Sequence, residues 1–547
     1  MTGADLVVKA LAAHGVTFLS TLCGNGIDPI LIAAHQQGLR IVDVHNEQTA
    51  SYMAETYGRF TRRVGVCAVS SSVGFTNALI GMVNASFDGA PMLLISGASD
   101  HAFADRGNFQ DFDQIRTATP ICKYTRFVDR PDKIPFYVHE AMAVAVGGRP
   151  GPVHLTIPLD VLGAAAPESP DALLNLGGAG VVNPICAGPG DAVERAAAAI
   201  AKAVRPLLVV GSGAYYAQAD ERLARFAAQT GIPIVTPIWD RGSIATPLPQ
   251  FMGVIGSASG SPRLLDTADL VILAGARVDY RIGYLQPPAT RPDLQIIRIS
   301  ADSGELLQGV EPHIAIHGDP ASVLGQLSAL LPARPTSAQV HWLQEAQRRN
   351  QEFRQRWSAP LAMTGRPITG HHLVEALRPF VQGDTTFVID GGNIGQWAHM
   401  VLCDRYPGHW MTCGASGVIG FGIGGAMAAK LAFPSRPVIL LSGDGSMGFN
   451  LADLESATRQ HLPFVAIVAD DQAWGIVVSG QTRRLGPDNT VACKLGPIQF
   501  AQVAEACGAI GVRVEEVQEI GPAVEKGLTE DRPVLIHVPL AQGGPAD

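Results

Sequence analysis

The chain has 547 residues, 47% of them hydrophobic and 16% charged, with a net charge of −9 at pH 7. That length predicts about three or four domains, and so apolar a composition excludes a disordered chain. With no basic run and no continuous apolar stretch of about 18 residues, neither a nucleic-acid binder nor a membrane span is expected. The start, Met1 to Asp5, lacks the basic and apolar regions of a secretory signal, and the eight cysteines include no Cys-x-x-Cys pair. Both features predict free thiols in a cytoplasmic protein. The low charged fraction further predicts surface hidden in large cores or between subunits.

Along the chain, short β-branched or Leu-rich runs alternate with Gly-rich turns and helical stretches. The segment from Val42 reads as a strand running into a helix, Gln48–Phe60, whose buried stripe is Ala50, Met53, Ala54 and Tyr57. Further strands are expected at Val66–Val69, Met92–Ile95, Leu207–Val210, Leu270–Leu273, Thr386–Ile389, Val438–Leu441 and Phe464–Val468. Linkers are expected at Ala164–Gly190, which is rich in Ala, Gly and Pro, and at Pro332–Ser337, before a polar helix through Gln347 to Arg356. The expected architecture is α/β, with three open parallel-sheet domains at 1–165, 186–331 and 360–547.

The residues that carry chemistry sit at strand ends. Glu47 opens a helix, where the dipole and free N–H groups alone would favour a carboxylate. Gln110 lies in Phe109-Gln110-Asp111-Phe112-Asp113, where a polar loop role is the alternative to a functional one. The central turn Val209-Val210-Gly211-Ser212-Gly213-Ala214 has only part of a dinucleotide fingerprint. In the third segment, Asp390-Gly391-Gly392-Asn393 ends a strand, and a Gly-rich loop, Ser416-Gly417-Val418-Ile419-Gly420-Phe421-Gly422, follows. Gly443-Asp444-Gly445-Ser446 then leaves the strand Val438–Leu441, with Asn450 expected to cap the next helix. The following strand ends at Asp470-Asp471-Gln472-Ala473-Trp474-Gly475-Ile476. In a right-handed βαβ unit both strands end on one edge, so Asp444 and Asp471 could converge on a hard cation that prefers oxygen ligands.

This constellation resembles the thiamine diphosphate-dependent enzymes, above all the acetolactate synthase and benzaldehyde lyase group, over nearly the whole chain. The resemblance implies pyrimidine-binding, central and diphosphate-binding domains, in that order. It implies Mg²⁺ held by Asp444, Asp471 and the Ala473 carbonyl. It places the cofactor against Gly391, Gly392, Asn393, Gly417, Ile419, Gly443, Asp444, Gly445, Ser446, Asp471, Ala473, Gly475 and Ile476. Of these, Ile419 would prop the cofactor into its bent shape, and the Gly417 carbonyl would accept from its 4′-amino group. Glu47 would bond N1′ of the aminopyrimidine and so promote loss of the C2 proton, for which it needs a buried carboxyl with a raised pKa. Ser70 to Asn77 is similar to a loop covering the cofactor, and Gln110 would point its amide at the substrate.

Three departures bear on function. The family usually has Asn-Asn where this chain has Asp470-Asp471, which adds negative charge beside a diphosphate. The adjacent His pair of pyruvate decarboxylases is absent, since His101 stands alone, and Val477 is apolar where those enzymes carry an acid. Both absences favour carbon–carbon bond formation or cleavage over aldehyde release. The expected activity is acetolactate synthase-like, on a small 2-oxo acid or acyloin. The alternatives are a lyase of 2-hydroxy ketones or 2-hydroxyacyl-CoA, and a non-catalytic nucleotide-binding homologue. Ala274-Gly275-Ala276-Arg277-Val278-Asp279-Tyr280-Arg281 is similar to a segment near bound FAD, so FAD, an ADP-like effector and an empty central domain all stay open. Glu47 and the diphosphate loops come from different subunits in the family, which implies a homo-oligomer, a dimer or a dimer of dimers.

Overall fold

The computed structural model describes residues 1–166, 185–357 and 366–545. The middle of the expected linker Ala164–Gly190 and the expected domain start at 360 lie outside these residues. The second expected linker is described: it ends at Thr336, whose side chain caps the helix Ser337–Arg354.

The described strands form three six-stranded sheets, and every strand pairing is parallel. The first sheet holds β1 (Phe18–Leu22), β2 (Arg40–Asp43), β3 (Gly65–Val69), β4 (Met92–Ala98), β5 (Tyr124–Phe127) and β6 (Pro152–Pro158). The second holds β7 (Pro206–Val210), β8 (Ile234–Pro237), β9 (Phe251–Ile255), β10 (Leu270–Ala274), β11 (Gln295–Ser300) and β12 (Ile314–His317). The third holds β13 (Thr386–Asp390), β14 (His409–Thr412), β15 (Val438–Gly443), β16 (Val465–Asp470), β17 (Ile510–Arg513) and β18 (Val534–Pro539). Of these, β3, β4, β7, β10, β13, β15 and β16 are buried over nearly their whole length and read as almost continuous apolar sequence, which is why they were legible without alternation.

The first sheet runs β2-β1-β3-β4-β6-β5 and the third runs β14-β13-β15-β16-β18-β17, the same order twice. The central sheet runs β12-β11-β10-β7-β8-β9, the 3-2-1-4-5-6 order of dinucleotide-binding folds. In the outer sheets the order reverses between β1 and β3, and between β13 and β15. Ligands of open α/β sheets collect outside the strand ends at such a reversal.

The helices that bear on the site are α1 (Glu47–Thr61), α2 (Val73–Asp88), α3 (Gly392–Val401), α4 (Gly422–Ala432), α5 (Asp453–Arg459) and α6 (Gly475–Leu485). Asn46 caps α1 by accepting from Gln48 N at 2.9 Å. In α1, Ala50, Met53 and Ala54 are buried, and Tyr57 packs against the same core from a half-buried position. One hydrophobic core joins the first and third sheets, with Tyr52 and Phe421 meeting edge to face at 6.5 Å. Polar contacts fix the same junction. Asp453, fully buried on α5, accepts from His45 N at 2.7 Å and from the Thr49 hydroxyl at 2.5 Å.

One local expectation is corrected. Asn450 does not cap the next helix: α5 starts at Asp453 after Ala452, which has no capping side chain. A short helical turn at Asp444–Met447 comes first, and Asn450 instead donates to the Gly420 carbonyl at 2.8 Å. Gly420 is buried, so its carbonyl would be costly to leave without a partner, whereas the first N–H groups of α5 already donate to the carbonyls of Asn450, Leu451 and Ala452.

Candidate active site

At the third sheet's reversal, β13 and β15 run in register, with Asp390 opposite Ser442, and β15 pairs with β16, with Gly443 opposite Ala469. The turns after all three strands therefore leave the sheet side by side. They border a cleft of about 230 Å³ that every residue assigned to the cofactor or metal by resemblance lines: Gly391, Gly392, Asn393, Gly417, Ile419, Gly443, Asp444, Gly445, Ser446, Asp471, Ala473, Gly475 and Ile476. Gly391 has φ +135°, which side chains rarely adopt, so the turn into α3 needs glycine there.

The cleft is lined by two carboxylates and by neither lysine nor arginine. Asp444 is 5% exposed, and burial, then the charge of Asp471, push its pKa up to about 7. Burial raises Asp471 too, against hydrogen bonds from Asn393 Nδ2 at 3.4 Å and Ala473 N at 3.2 Å. Two desolvated carboxyl groups, with the charge of one raising the other, call for a cation. Among the described residues no three His, Cys, Asp or Glu side chains cluster for a metal. A cation here would therefore take main-chain and ligand oxygens as well, as Mg²⁺ does when it binds beside phosphates. The residues just before α3 and α6, Gly391 and Trp474, offer no capping side chain, so the first N–H groups of these helices can receive an anion. A diphosphate–Mg²⁺ group fits these donors and acceptors.

Asp470, the other half of the departure from Asn-Asn, is held differently. Its Oδ2 lies 2.8 Å from Nε2 of the buried His537, and its Oδ1 accepts from Gln472 N at 3.2 Å.

Glu47 and Gln110 do not line this cleft. Each is instead hydrogen-bonded to the segment that follows β3 in the first domain. Glu47 is 8% exposed, and its Oε2 accepts from Asn77 Nδ2 at 3.1 Å. Gln110 Oε1 accepts from the Ser71 hydroxyl at 3.0 Å, and Gln114 Oε1 accepts from Ser72 N at 2.9 Å. Thus the Ser70 to Asn77 segment gathers the two predicted residues, but away from the cleft in the same chain.

The sequence reading missed several groups. Asp390 is buried and accepts from Gly420 N at 3.1 Å and Gly422 N at 2.8 Å, which fixes the loop bearing Gly417 and Ile419. Burial pushes its carboxyl up to about 7. The C-terminal segment folds back, so that Leu540, Ala541 and Gly543 line the cleft, with Gly543 O accepting from Asn393 Nδ2 at 3.1 Å. The strand end before Gly391 was a local signal for Asp390; the tail offered none.

In the central domain, the glycine turn's donors are used internally. Gly211 N donates to Ala274 O at 3.1 Å and Gly213 N to Gly275 O at 2.9 Å. Arg277 Nη1 donates to Phe87 O at 3.0 Å, and Arg281 pairs with Asp240 and Asp279.

Comparison with known proteins agrees with this geometry. Residues 1–117 match the N-terminal TPP binding domain of thiamine pyrophosphate enzymes, 193–327 their central domain, and 390–538 their C-terminal TPP binding domain. The chain belongs to the thiamine pyrophosphate enzyme family. It is 31% identical to human 2-hydroxyacyl-CoA lyase 2, over 98% of this chain and 89% of that protein. It is 30% identical to the acetolactate synthase isozyme 2 large subunit of Escherichia coli K12, over 99% of this chain and 96% of that one. Oxalyl-CoA decarboxylase of the same strain is 27% identical, over 98% and 94%. As a thiamine pyrophosphate enzyme of this group, the chain acts on carbon–carbon bonds of small molecules. No helix among its described residues is long and apolar enough to cross a membrane.

Proposed function

We propose that this thiamine pyrophosphate enzyme is a Mg²⁺-dependent carboligase with a 2-oxo acid donor, in the manner of acetolactate synthase. The cofactor, when bound, supplies the carbon nucleophile and the electron sink for the bond that forms or breaks. In this reading Asp444, Asp471 and the Ala473 carbonyl hold Mg²⁺. Gly391 to Asn393, Gly443 to Ser446, Gly475 and Ile476 surround the diphosphate and the ring attached to it. Gly417 and Ile419 orient the pyrimidine. Glu47 holds a proton at the pyrimidine nitrogen, and Gln110 orients the substrate carbonyl. The observation that carries this reading is one cleft with two carboxyls raised by burial, uncapped helix N-termini and no basic side chain.

Because Glu47 and Gln110 lie outside the cleft of their own chain, a second copy supplies them, and the enzyme is a homo-oligomer of three-domain chains divided near 165, 186–331 and 360. Exposed apolar side chains at both half-sites support this. They are Val73, Phe109 and Phe112 beside Glu47 and Gln110, and Val477 at the cleft. The central domain serves as scaffold, since its turn donors and arginines are engaged within the chain.

A 2-hydroxyacyl-CoA lyase is the second reading, favoured by the 31% identity to a protein of that name. A panel of 2-oxo acids, acyloins and 2-hydroxyacyl-CoA thioesters, scored by product mass, separates the two. The proposal expects acetolactate from pyruvate. Aldehyde from a 2-hydroxyacyl-CoA, with none from pyruvate, establishes the second reading instead.

A further inference from the structure

Arg59 stands one turn after Glu55 on α1, and Asp88 one turn after Asn84 on α2. Glu55 and Asn84 are fully buried, Asp88 is 5% exposed and Arg59 8%. Glu55 Oε1 accepts from Arg59 Nη1 at 3.1 Å and from Asn84 Nδ2 at 2.9 Å, and its Oε2 accepts from the Thr56 hydroxyl at 2.8 Å. Arg59 Nη1 also lies 3.3 Å from Asp88 Oδ2.

The far side of this cluster grips the third domain. Asp88 Oδ1 accepts from Ala415 N at 2.8 Å, and Asn84 Oδ1 accepts from the Ser416 hydroxyl. The Ser416 oxygen in turn accepts from Val418 N at 3.2 Å. Gly414 admits the Asp88 carboxylate, since a Cβ there would stand only 1.8 Å from Oδ2. Every backbone group so held belongs to the loop that carries Gly417 and Ile419.

We propose that Glu55, Asn84, Asp88 and Arg59 are positioning residues which set this loop from the first domain, and that a proton shared within the cluster makes the setting depend on pH. The proposal rests on the cofactor reading above for Gly417 and Ile419. One guanidinium cannot neutralise two buried carboxylates, so the cluster is neutral only while it keeps a proton. Other groups do not supply the missing positive charge. Tyr52 on α1 and Tyr216 beyond it face Glu55 as neutral phenols, and Asp240 and Arg281, which face Asp88, pair with each other at 3.1 Å. Burial, opposed by Arg59 and reinforced by Asp88, pushes Glu55 up to about 7, and burial raises Asp88 as well. Above neutrality the cluster carries a net negative charge in the core, and opening the contact to Ala415 and Ser416 relieves it.

Hydrogen exchange of the ligand-free full chain at pH 6 and pH 8, corrected for intrinsic rates, reads the loop directly. Calorimetry with thiamine diphosphate and Mg²⁺ at both pH values reads its consequence. The wild type should lose protection across 413–420 by about tenfold per pH unit above the Glu55 titration, with a matching fall in cofactor affinity. Glu55→Gln keeps the acceptor for Arg59 and Asn84 and should hold the loop equally at both pH values. Ser416→Ala, which cuts the link on the loop side alone, should lower protection at both. Unchanged wild-type protection between the two pH values, or the same pH slope in Glu55→Gln, overturns the proposal. A wild type that shows the predicted loop response yet binds no thiamine diphosphate overturns the cofactor reading and not the cluster.

Discussion

At the residue scale, Asp444 and Asp471 are chemically alike but placed differently. Asp444 is nearly enclosed and accepts from its neighbour Gly445 N at 2.8 Å, whereas Asp471 is held by Asn393 and Ala473. Asp444→Ala should therefore weaken cofactor binding by about 100-fold or more. Asp471→Asn, which keeps an oxygen ligand and matches the family's usual residue, should stay within about threefold of wild type; titration calorimetry at fixed Mg²⁺ measures both. A pH effect accompanies the first site. Because the folded-state pKa of Asp444 is raised to about 7 from 3.8, the metal-free protein binds more protons folded than unfolded across that window. Its stability contribution is fully present below 3.8 and is lost as pH rises toward 7. Asp444→Asn should make this decline in melting temperature shallower, with Glu55 and Asp390 accounting for what remains, and a decline of wild-type steepness in that variant would place the titration elsewhere.

At the element scale, α1 carries the most. Asn46 starts it, Glu47 is its first residue, Thr49 ties it to Asp453, and Glu55 and Arg59 tie it to α2. Removing the cap by Asn46→Ala should cost about 1 kcal/mol in denaturant unfolding. A change near zero would mean that the contacts with α5 alone fix the helix start.

This helix also shows what the sequence could and could not convey. Its start at Asn46-Glu47 and its stripe of Ala50, Met53 and Ala54 were legible, since capping and periodicity are local. So were the strand runs, whose burial on both faces leaves them continuously apolar. The glycines and acids at the ends of β13, β15 and β16 were legible because the parallel register brings those ends together. The pairing of Asp470 with His537, the return of Leu540 to Gly543 onto the cleft, and the grip of Asp88 on Ala415 join residues far apart in the chain. No local pattern announces such contacts. The misplaced cap at Asn450 has the same origin, because its partner, Gly420 O, is set by the fold and not by the helix that follows.

At the scale of the whole molecule, the proposed function divides the site between two copies of the chain. The outer sheets share one strand order and one core, yet the cleft of the third sheet contains nothing from the first. The low charged fraction seen in the composition fits a chain that hides surface in this way. Co-expression of two differently tagged chains, Glu47→Gln and Asp444→Ala, tests the division directly, with C2 proton exchange of added thiamine diphosphate as the readout. Each variant alone should lose exchange by orders of magnitude, about 10²-fold or more. The purified mixed oligomer should recover about half the wild-type rate, because one of its two paired sites combines an intact Glu47 with an intact Asp444. A mixed oligomer as inactive as its parents would contradict the account and place both residues in the site of one chain.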